Sequence, residues 1–140
     1  MKGRIWARVG LLGVLCGTAA GCDGITGSSE RNEARVEVRP LGGAEGVSMI
    51  TSTSFGLAGE RILLVESDTQ SVSIPSTLTF PLDGERRFYV SVGPRNEGDT
   101  ASVRMEVWID DVPWFLDERT LGVDSIGTMT FVYRFTQPRL

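Results

Sequence analysis

One stretch decides the fold of this chain: Ala101-Ser102-Val103-Arg104-Met105-Glu106-Val107-Trp108-Ile109, followed by Asp110 and Asp111. Apolar side chains stand at every second position, and polar or charged side chains fill most of the positions between them. Successive residues of a β-strand point to opposite faces, whereas a helix repeats every 3.6 residues, so this spacing indicates a strand. We expect Val107 and Ile109 to face the core and Trp108 to lie on the outer face, with a turn at Asp110-Asp111.

The same alternation recurs along the chain after residue 33, and glycines and prolines interrupt it at short intervals. The clearest further examples are Val36 and Val38, then Phe88, Val90 and Val92, then Met129, Phe131, Tyr133 and Phe135. No helical period accompanies them. About seven or eight short strands of this kind predict an all-β fold, an immunoglobulin-like antiparallel β-sandwich, with a closed barrel as the alternative.

One segment departs from the alternation. After its arginine, Arg61-Ile62-Leu63-Leu64-Val65 is a continuous apolar run. A short run of this kind is typical of a strand whose two faces are both covered. We therefore expect residues 61–65 to form a strand that is buried on both sides.

The first 21 residues have the pattern of a secretory signal peptide. A basic tip with Lys2, Arg4 and Arg8 precedes an apolar segment over residues 9–18. This segment is too short to span a bilayer, since a spanning helix needs about 20 apolar residues. Small residues follow at 19–21, as they do at signal-peptide cleavage sites. The pattern predicts an N-terminal signal-peptide helix, detached from the folded domain over residues 5–20.

The residue after that site is Cys22, and the sequence Ala19-Ala20-Gly21-Cys22 resembles the lipobox of bacterial lipoproteins. The resemblance implies cleavage before Cys22 and a diacylglyceryl or acyl lipid on its thiol. Ordinary secretion and a retained helix are the alternatives, and Cys16 is the rival acceptor. The bulky Leu15 before Cys16 fits a small-residue cleavage pocket badly.

These features divide the chain into three parts: a cleaved signal peptide at 1–21, a lipidated cysteine and flexible tether at 22–33, and a β-sandwich at 34–140. The tether contains Gly and Ser residues, which make flexible linkers. We expect the protein to lie on the cell membrane or the outer membrane, facing the periplasm or the exterior. Asp23, directly after Cys22, resembles a residue that retains lipoproteins at the inner membrane in some bacteria, and the choice of membrane stays open.

Composition narrows the classes of function. The formal net charge is −4, and the signal segment contains three of the fourteen basic residues and no acidic one. The remaining chain is therefore more acidic than the whole, which argues against nucleic acid as a partner and against electrostatic binding to anionic lipid. The chain has no histidine and two cysteines. The usual Ser-His-Asp and Cys-His nucleophile systems are therefore excluded, and no disulfide can form within the mature chain.

Three pieces in order resemble small envelope proteins of the MmpS-like type. They are Ser73 to Phe80 with Pro75, the strand Phe88 to Val92, and the hairpin Ala101 to Asp111. The resemblance covers about residues 36–135, and it implies an immunoglobulin-like sandwich in the envelope. Some proteins of this kind act as accessories to lipid exporters. The resemblance carries over no catalytic residue and no cofactor other than the lipid on Cys22.

Aromatic residues flank the turn of the hairpin and form the candidate site for a partner. Trp108, Trp114 and Phe115 could stack on a glycan or fill a pocket of an envelope protein or exporter complex, since Trp is enriched in interface hot spots. The structural alternative is a cross-strand pair between Trp108 and Trp114.

Five carboxylates lie close together in the same part of the sequence, and calcium binds such oxygen ligands. They are Asp110, Asp111, Asp117, Glu118 and Asp124. A solvated turn and strand edge explains the same residues, and no EF-hand spacing is present.

We expect a non-enzymatic, lipid-anchored binding or transport-accessory module from these observations. A purely structural or assembly lipoprotein and a glycan-binding module that uses Trp108 and Trp114 are the alternatives.

Overall fold

The structure is a computed structural model that describes residues 33–82, 87–122 and 127–134. The predicted signal peptide with its helix over residues 5–20, the lipid-bearing Cys22 and the tether up to residue 32 lie outside the described residues. Asp124 and Phe135 also lie outside them.

Every regular element within the described residues is a β-strand, so the prediction of an all-β domain is confirmed. The strands are β1 (Glu33–Pro40), β2 (Gly46–Ala58), β3 (Arg61–Ser73), β4 (Ser76–Pro81), β5 (Arg87–Pro94), β6 (Ala101–Ile109), β7 (Val112–Leu121) and β8 (Met129–Arg134).

The eight strands form two four-stranded antiparallel sheets, in the orders β4-β1-β6-β7 and β3-β2-β5-β8. The two sheets pack face to face, so the fold is the predicted sandwich and not the closed barrel. Strand β6, which carries the alternating stretch, is a central strand between β1 and β7. Strands β3, β4, β7 and β8 are the edges of the two sheets.

The alternating residues fill the space between the sheets, as the sequence predicts. In β6, the side chains of Val103, Met105, Val107 and Ile109 are fully buried. The facing sheet contributes residues of β5, among them Phe88, whose ring lies 5.4 Å from that of Phe80 in β4. Burial of such side chains contributes about 1.5–3 kcal/mol each relative to exposure, and it is the main force that holds the sheets together.

The prediction of a doubly buried strand at residues 61–65 is wrong. Leu63 is 55% exposed and Val65 is 73% exposed, because they lie in the edge strand β3. The neighbouring strand β2 pairs with β5 only from Val47 to Ser52, so the hairpin beyond Ser52 has no third strand beside it. A continuous apolar run does not by itself reveal a strand's position in its sheet.

The strand register brings the start of β1, the end of β4 and the β6–β7 turn to the same end of the sandwich, which we call the Glu33 end. Glu33 of β1 lies opposite Pro81 of β4, and Ala34 lies opposite Ile109, after which the chain turns at Asp110 and Asp111. Because Phe80 contacts Phe88, the start of β5 lies at the same end. The opposite end holds the loops around Gly43 and residues 95–100.

Candidate interaction surface

The β6–β7 turn is a two-residue turn between the paired residues Ile109 and Val112. Asp110 and Asp111 have φ angles of 47° and 63°, the left-handed values that a type I′ turn requires at both central positions. The Asp110 N–H donates to the carbonyl of Glu33 (3.0 Å), and the Glu33 N–H donates to Asp110 Oδ1 (3.0 Å). These two reciprocal hydrogen bonds therefore connect the start of β1 to the turn.

Trp108 lies on the outer face of β6, as predicted, and an arginine covers its ring. The Arg35 guanidinium carbon lies 4.6 Å from the ring centroid, in a cation–π contact. The same guanidinium donates from Nη1 to Asp111 Oδ1 at 3.0 Å. Arg35 Nε and Trp108 Nε1 are buried without a hydrogen-bond partner among the described residues. The covered face of Trp108 is therefore not free to stack on a sugar.

Trp114 occupies an irregular position in β7. Val107 pairs with Phe115 and Trp108 pairs with Pro113, so Trp114 is the extra residue of a β-bulge. Its ring packs edge-on against Tyr133 of the other sheet, with the centroids 5.0 Å apart, and it remains 48% exposed. The structure therefore does not bring Trp108 and Trp114 together as a cross-strand pair, because the bulge turns Trp114 towards the opposite sheet.

Phe115 belongs largely to the core. It lies opposite the buried Val107, and its ring centroid lies 5.4 Å from that of Phe131 in β8. Val112, Trp114 and Leu116 are the exposed large apolar residues of β7. Within the described residues β7 pairs only with β6, so these side chains line an open strand edge. Of the three predicted partner-binding residues, only Trp114 is exposed at this edge, whereas Trp108 and Phe115 are half-buried.

Each acidic side chain described near this hairpin has its own partner. Asp111 pairs with Arg35, Asp117 pairs with Arg119 at 2.6 Å, and Glu118 lies 3.6 Å from Arg104. Asp117 and Glu118 are consecutive in a strand and therefore point to opposite faces. No group of three or more metal-ligating side chains forms among residues 33–82, 87–122 and 127–134. Asp124, the fifth residue of the predicted calcium site, lies outside the described residues, so the calcium site stays a prediction.

A second apolar surface was missed by the sequence analysis, and we call it the β2–β3 ribbon (residues 55–65). Its two strands pair only with each other, from Phe55 opposite Leu64 to Ala58 opposite Arg61. The signal was present as the continuous run at 61–65, which we assigned to the interior. Exposed apolar side chains of the ribbon are Leu57, Leu63 and Val65.

The base of the ribbon is held by partly buried hydrogen bonds. The Ser52 hydroxyl is within donating distance of the carbonyls of Glu66 (2.5 Å) and Ser54 (3.0 Å), and it accepts the Ser54 N–H (3.1 Å). The Arg87 guanidinium donates from Nη1 to the Phe55 carbonyl at 2.6 Å. These bonds satisfy the backbone where the register shifts between Thr51 and Phe55. The ribbon therefore leaves the sandwich in a fixed direction.

The end of the sandwich opposite Glu33 has a polar hollow of about 570 Å³. Glu45, Arg95 and Asp99 contribute charged groups to its lining. Arg95 lies directly over Gly46, where an added Cβ would clash with the guanidinium. The hollow is open to solvent, and its mixed charges favour no one class of ligand.

The described residues contain no helix that could span a bilayer. The resemblance to MmpS-like envelope proteins stays a prediction. In comparisons with known proteins, no family model, no curated protein and no solved structure matches this chain.

Proposed function

We propose that this protein is a lipid-anchored, non-enzymatic binding module of the cell envelope. The lipid on Cys22 holds the sandwich at the membrane, and the open edge of β7 pairs with a strand of a partner protein. The role as a transport accessory, which the resemblance to MmpS-like proteins implies, is one form of this function.

The observation that carries the proposal is the apolar edge of β7, where Val112, Trp114 and Leu116 are exposed. An edge strand presents unpaired backbone N–H and C=O groups, and an added strand satisfies them while its side chains provide specificity. A Trp at such an edge supplies a large apolar contact, and Trp is enriched among hot-spot residues. Natural edges are often protected by charges or bulges, and β7 has both, a bulge at Trp114 and charges at residues 117–119, so its exposed apolar side chains are confined to residues 112–116.

The non-enzymatic part of the proposal rests on the sequence and on the pairing of the carboxylates. The chain has no histidine, and its two cysteines, Cys16 and Cys22, both lie in the signal and lipobox region. Asp111, Asp117 and Glu118 each face an arginine.

The proposal can be tested by site-specific photo-cross-linking in the native envelope. A photoreactive side chain at Leu116 is expected to cross-link to one discrete protein, because it lies on the open edge. The matched control is Leu41, which is 51% exposed at the opposite end of the sandwich. Trp114→Ser should lower the yield from position 116 at least about tenfold, the effect of losing roughly 1.4 kcal/mol of binding, whereas Leu41→Ser should not.

Equal yields from positions 41 and 116 would contradict the proposal, as would an unchanged yield in Trp114→Ser. Urea unfolding of each variant shows whether the sandwich is intact, so loss of folding is distinguished from loss of the contact. An adduct that contains sugar instead of protein would favour the glycan-binding alternative.

A further inference from the structure

The β2–β3 ribbon projects from the same end of the sandwich at which the chain leads back to Cys22. Glu33 begins β1 at this end, and the start of β5 lies beside it through the Phe80–Phe88 contact. Strand β2 passes Ser52, its last residue paired with β5, and continues to Ala58. The turn of the ribbon therefore extends about three or four residues beyond the level of Glu33, or roughly 10–13 Å at the rise of a strand.

The projecting part is apolar on both of its faces. Paired residues share a face, so Leu57, Ile62 and Leu64 lie on one face of the ribbon. Leu63 lies on the other face, opposite Gly56, whose missing Cβ leaves open space. Val65 is the most exposed large apolar residue described. A ribbon that docks flat on a protein needs one apolar face, whereas a ribbon that enters an apolar medium gains from two.

Charged residues before and after the apolar run limit how deeply the ribbon can enter a bilayer. Glu60 and Arg61 lie at the turn, and Glu66 follows the apolar run on β3. The run between the two charged positions, residues 62–65, is roughly 13 Å long at the rise of a strand. This length is far below the ~30 Å of the hydrocarbon core, so the ribbon suits the interface between headgroups and acyl chains.

The length of chain between Cys22 and the domain allows this contact. Eleven peptide steps separate Cys22 from Glu33, and fully extended they span at most about 36–40 Å. A lipid on Cys22 therefore keeps Glu33 within this distance of the bilayer, which leaves the ribbon able to reach the membrane. Tethering also raises the effective concentration of a weak second contact to about the millimolar range.

We infer that the β2–β3 ribbon is a membrane-contact surface, which lies in the interfacial layer of the bilayer with Leu57, Leu63 and Val65 among the lipids. The inference rests on the proposed anchor at Cys22 for its proximity to the membrane. It adds a second, non-covalent contact that fixes the orientation of the domain. The Glu33 end then faces the membrane, and the polar hollow at the other end faces away. The contact is apolar, so anionic lipid is not required.

The test uses the full chain in a Cys16→Ser background, in which lipid blocks Cys22 and one introduced cysteine is labelled with the environment-sensitive fluorophore nitrobenzoxadiazole. Leu63→Cys reports on the ribbon, and Leu41→Cys is the control of similar exposure at the opposite end. The protein is placed on vesicles of phosphatidylcholine with or without brominated acyl chains, and then on vesicles that also contain phosphatidylglycerol. We expect a blue shift and quenching by brominated lipid at position 63, equal on both vesicle types, and neither effect at position 41.

A second variant measures what the ribbon contributes. Leu63→Asp with Val65→Asp should lower the binding of the Cys22→Ser chain to phosphatidylcholine vesicles at least about tenfold, since two exposed apolar side chains lose their transfer from water. Leu41→Asp should leave this binding unchanged. Leu41, Leu63 and Val65 are all exposed, so urea unfolding should show no loss of stability in either variant.

The failure of the inference and the failure of the proposed function are distinguishable. A label at position 63 that stays in water on membrane-bound protein overturns the inference and leaves the anchor intact. A label that is shielded but not quenched by brominated lipid means that a protein covers the ribbon, which also overturns it. If carbonate washing shows no anchor at Cys22, the proposed function fails. The chain with Cys16→Ser and Cys22→Ser, labelled at position 63 and mixed directly with vesicles, then decides the inference by the same quenching.

Discussion

The base of the ribbon offers a sharp test of how this fold is held, through the variant Ser52→Ala. Ser52 is 6% exposed, and its hydroxyl contacts the carbonyls of Glu66 and Ser54 and the N–H of Ser54. One hydroxyl hydrogen serves both carbonyls, so the variant loses about two net hydrogen bonds. At 0.5–1.5 kcal/mol each, the ribbon loses about 1–3 kcal/mol.

Ser91→Ala is the matched control, because Ser91 is 4% exposed and lies in the same sheet. Among the described residues, its hydroxyl bonds only the hydroxyl of Thr130, at 3.1 Å. Thr130 is exposed and can bond water instead. We therefore expect Ser91→Ala to cost no more than about 1 kcal/mol.

Native-state hydrogen exchange separates the two variants. The amides of the β2–β3 ribbon in Ser52→Ala should exchange about five-fold to more than a hundred-fold faster, the range that corresponds to 1–3 kcal/mol. Amides of β6 should change much less, because β6 lies in the other sheet. Urea unfolding measures the loss in the global free energy of unfolding, provided that the m-value is unchanged. Equal protection of the ribbon in both variants would refute the role that we assign to Ser52.

Three further predictions follow from the core, the turn and the anchor. Phe88→Ala should lower the free energy of unfolding by about 3–5 kcal/mol, because its ring is 1% exposed and contacts Phe80, and a urea midpoint that barely moves would contradict this packing. Asp111→Gly should raise the unfolding free energy by about 0.5 kcal/mol, since the relief of a left-handed residue outweighs an exposed ion pair with Arg35, and a fall would reverse this balance. Cys22→Ser should release the protein from membranes in a carbonate wash while its unfolding midpoint stays unchanged, and retention of the variant in the membrane fraction would overturn the anchor.

Most of the core could be predicted from the sequence because strand alternation is a local property. In β6, apolar residues alternate with mostly polar or charged ones, and in a strand this alternation directly gives the face to which each side chain points. The buried residues are Val103, Met105, Val107 and Ile109. The turn at Asp110-Asp111 was also predicted, although neither residue is the glycine that a type I′ turn prefers. When only two residues connect two paired strands, few turn types can reverse the chain.

The candidate surfaces could be predicted only in part. Trp108 was correctly placed on the outer face, but its cover by Arg35 depends on the register between β1 and β6. The exposure of Trp114 depends on a one-residue bulge, which no local pattern in residues 112–116 announces. An added residue reverses the faces of the side chains around it, so the predicted pair with Trp108 did not form.

The sequence by itself determined the all-β class, the inward face of the central strands and, as a prediction, the lipid anchor at Cys22. Only the tertiary structure decided that residues 61–65 lie at a sheet edge and project from the Glu33 end. An apolar run reads the same in a central strand and in an edge strand, since both have the same local spacing. What separates them is the presence of a third strand, and that depends on contacts between residues far apart in the chain.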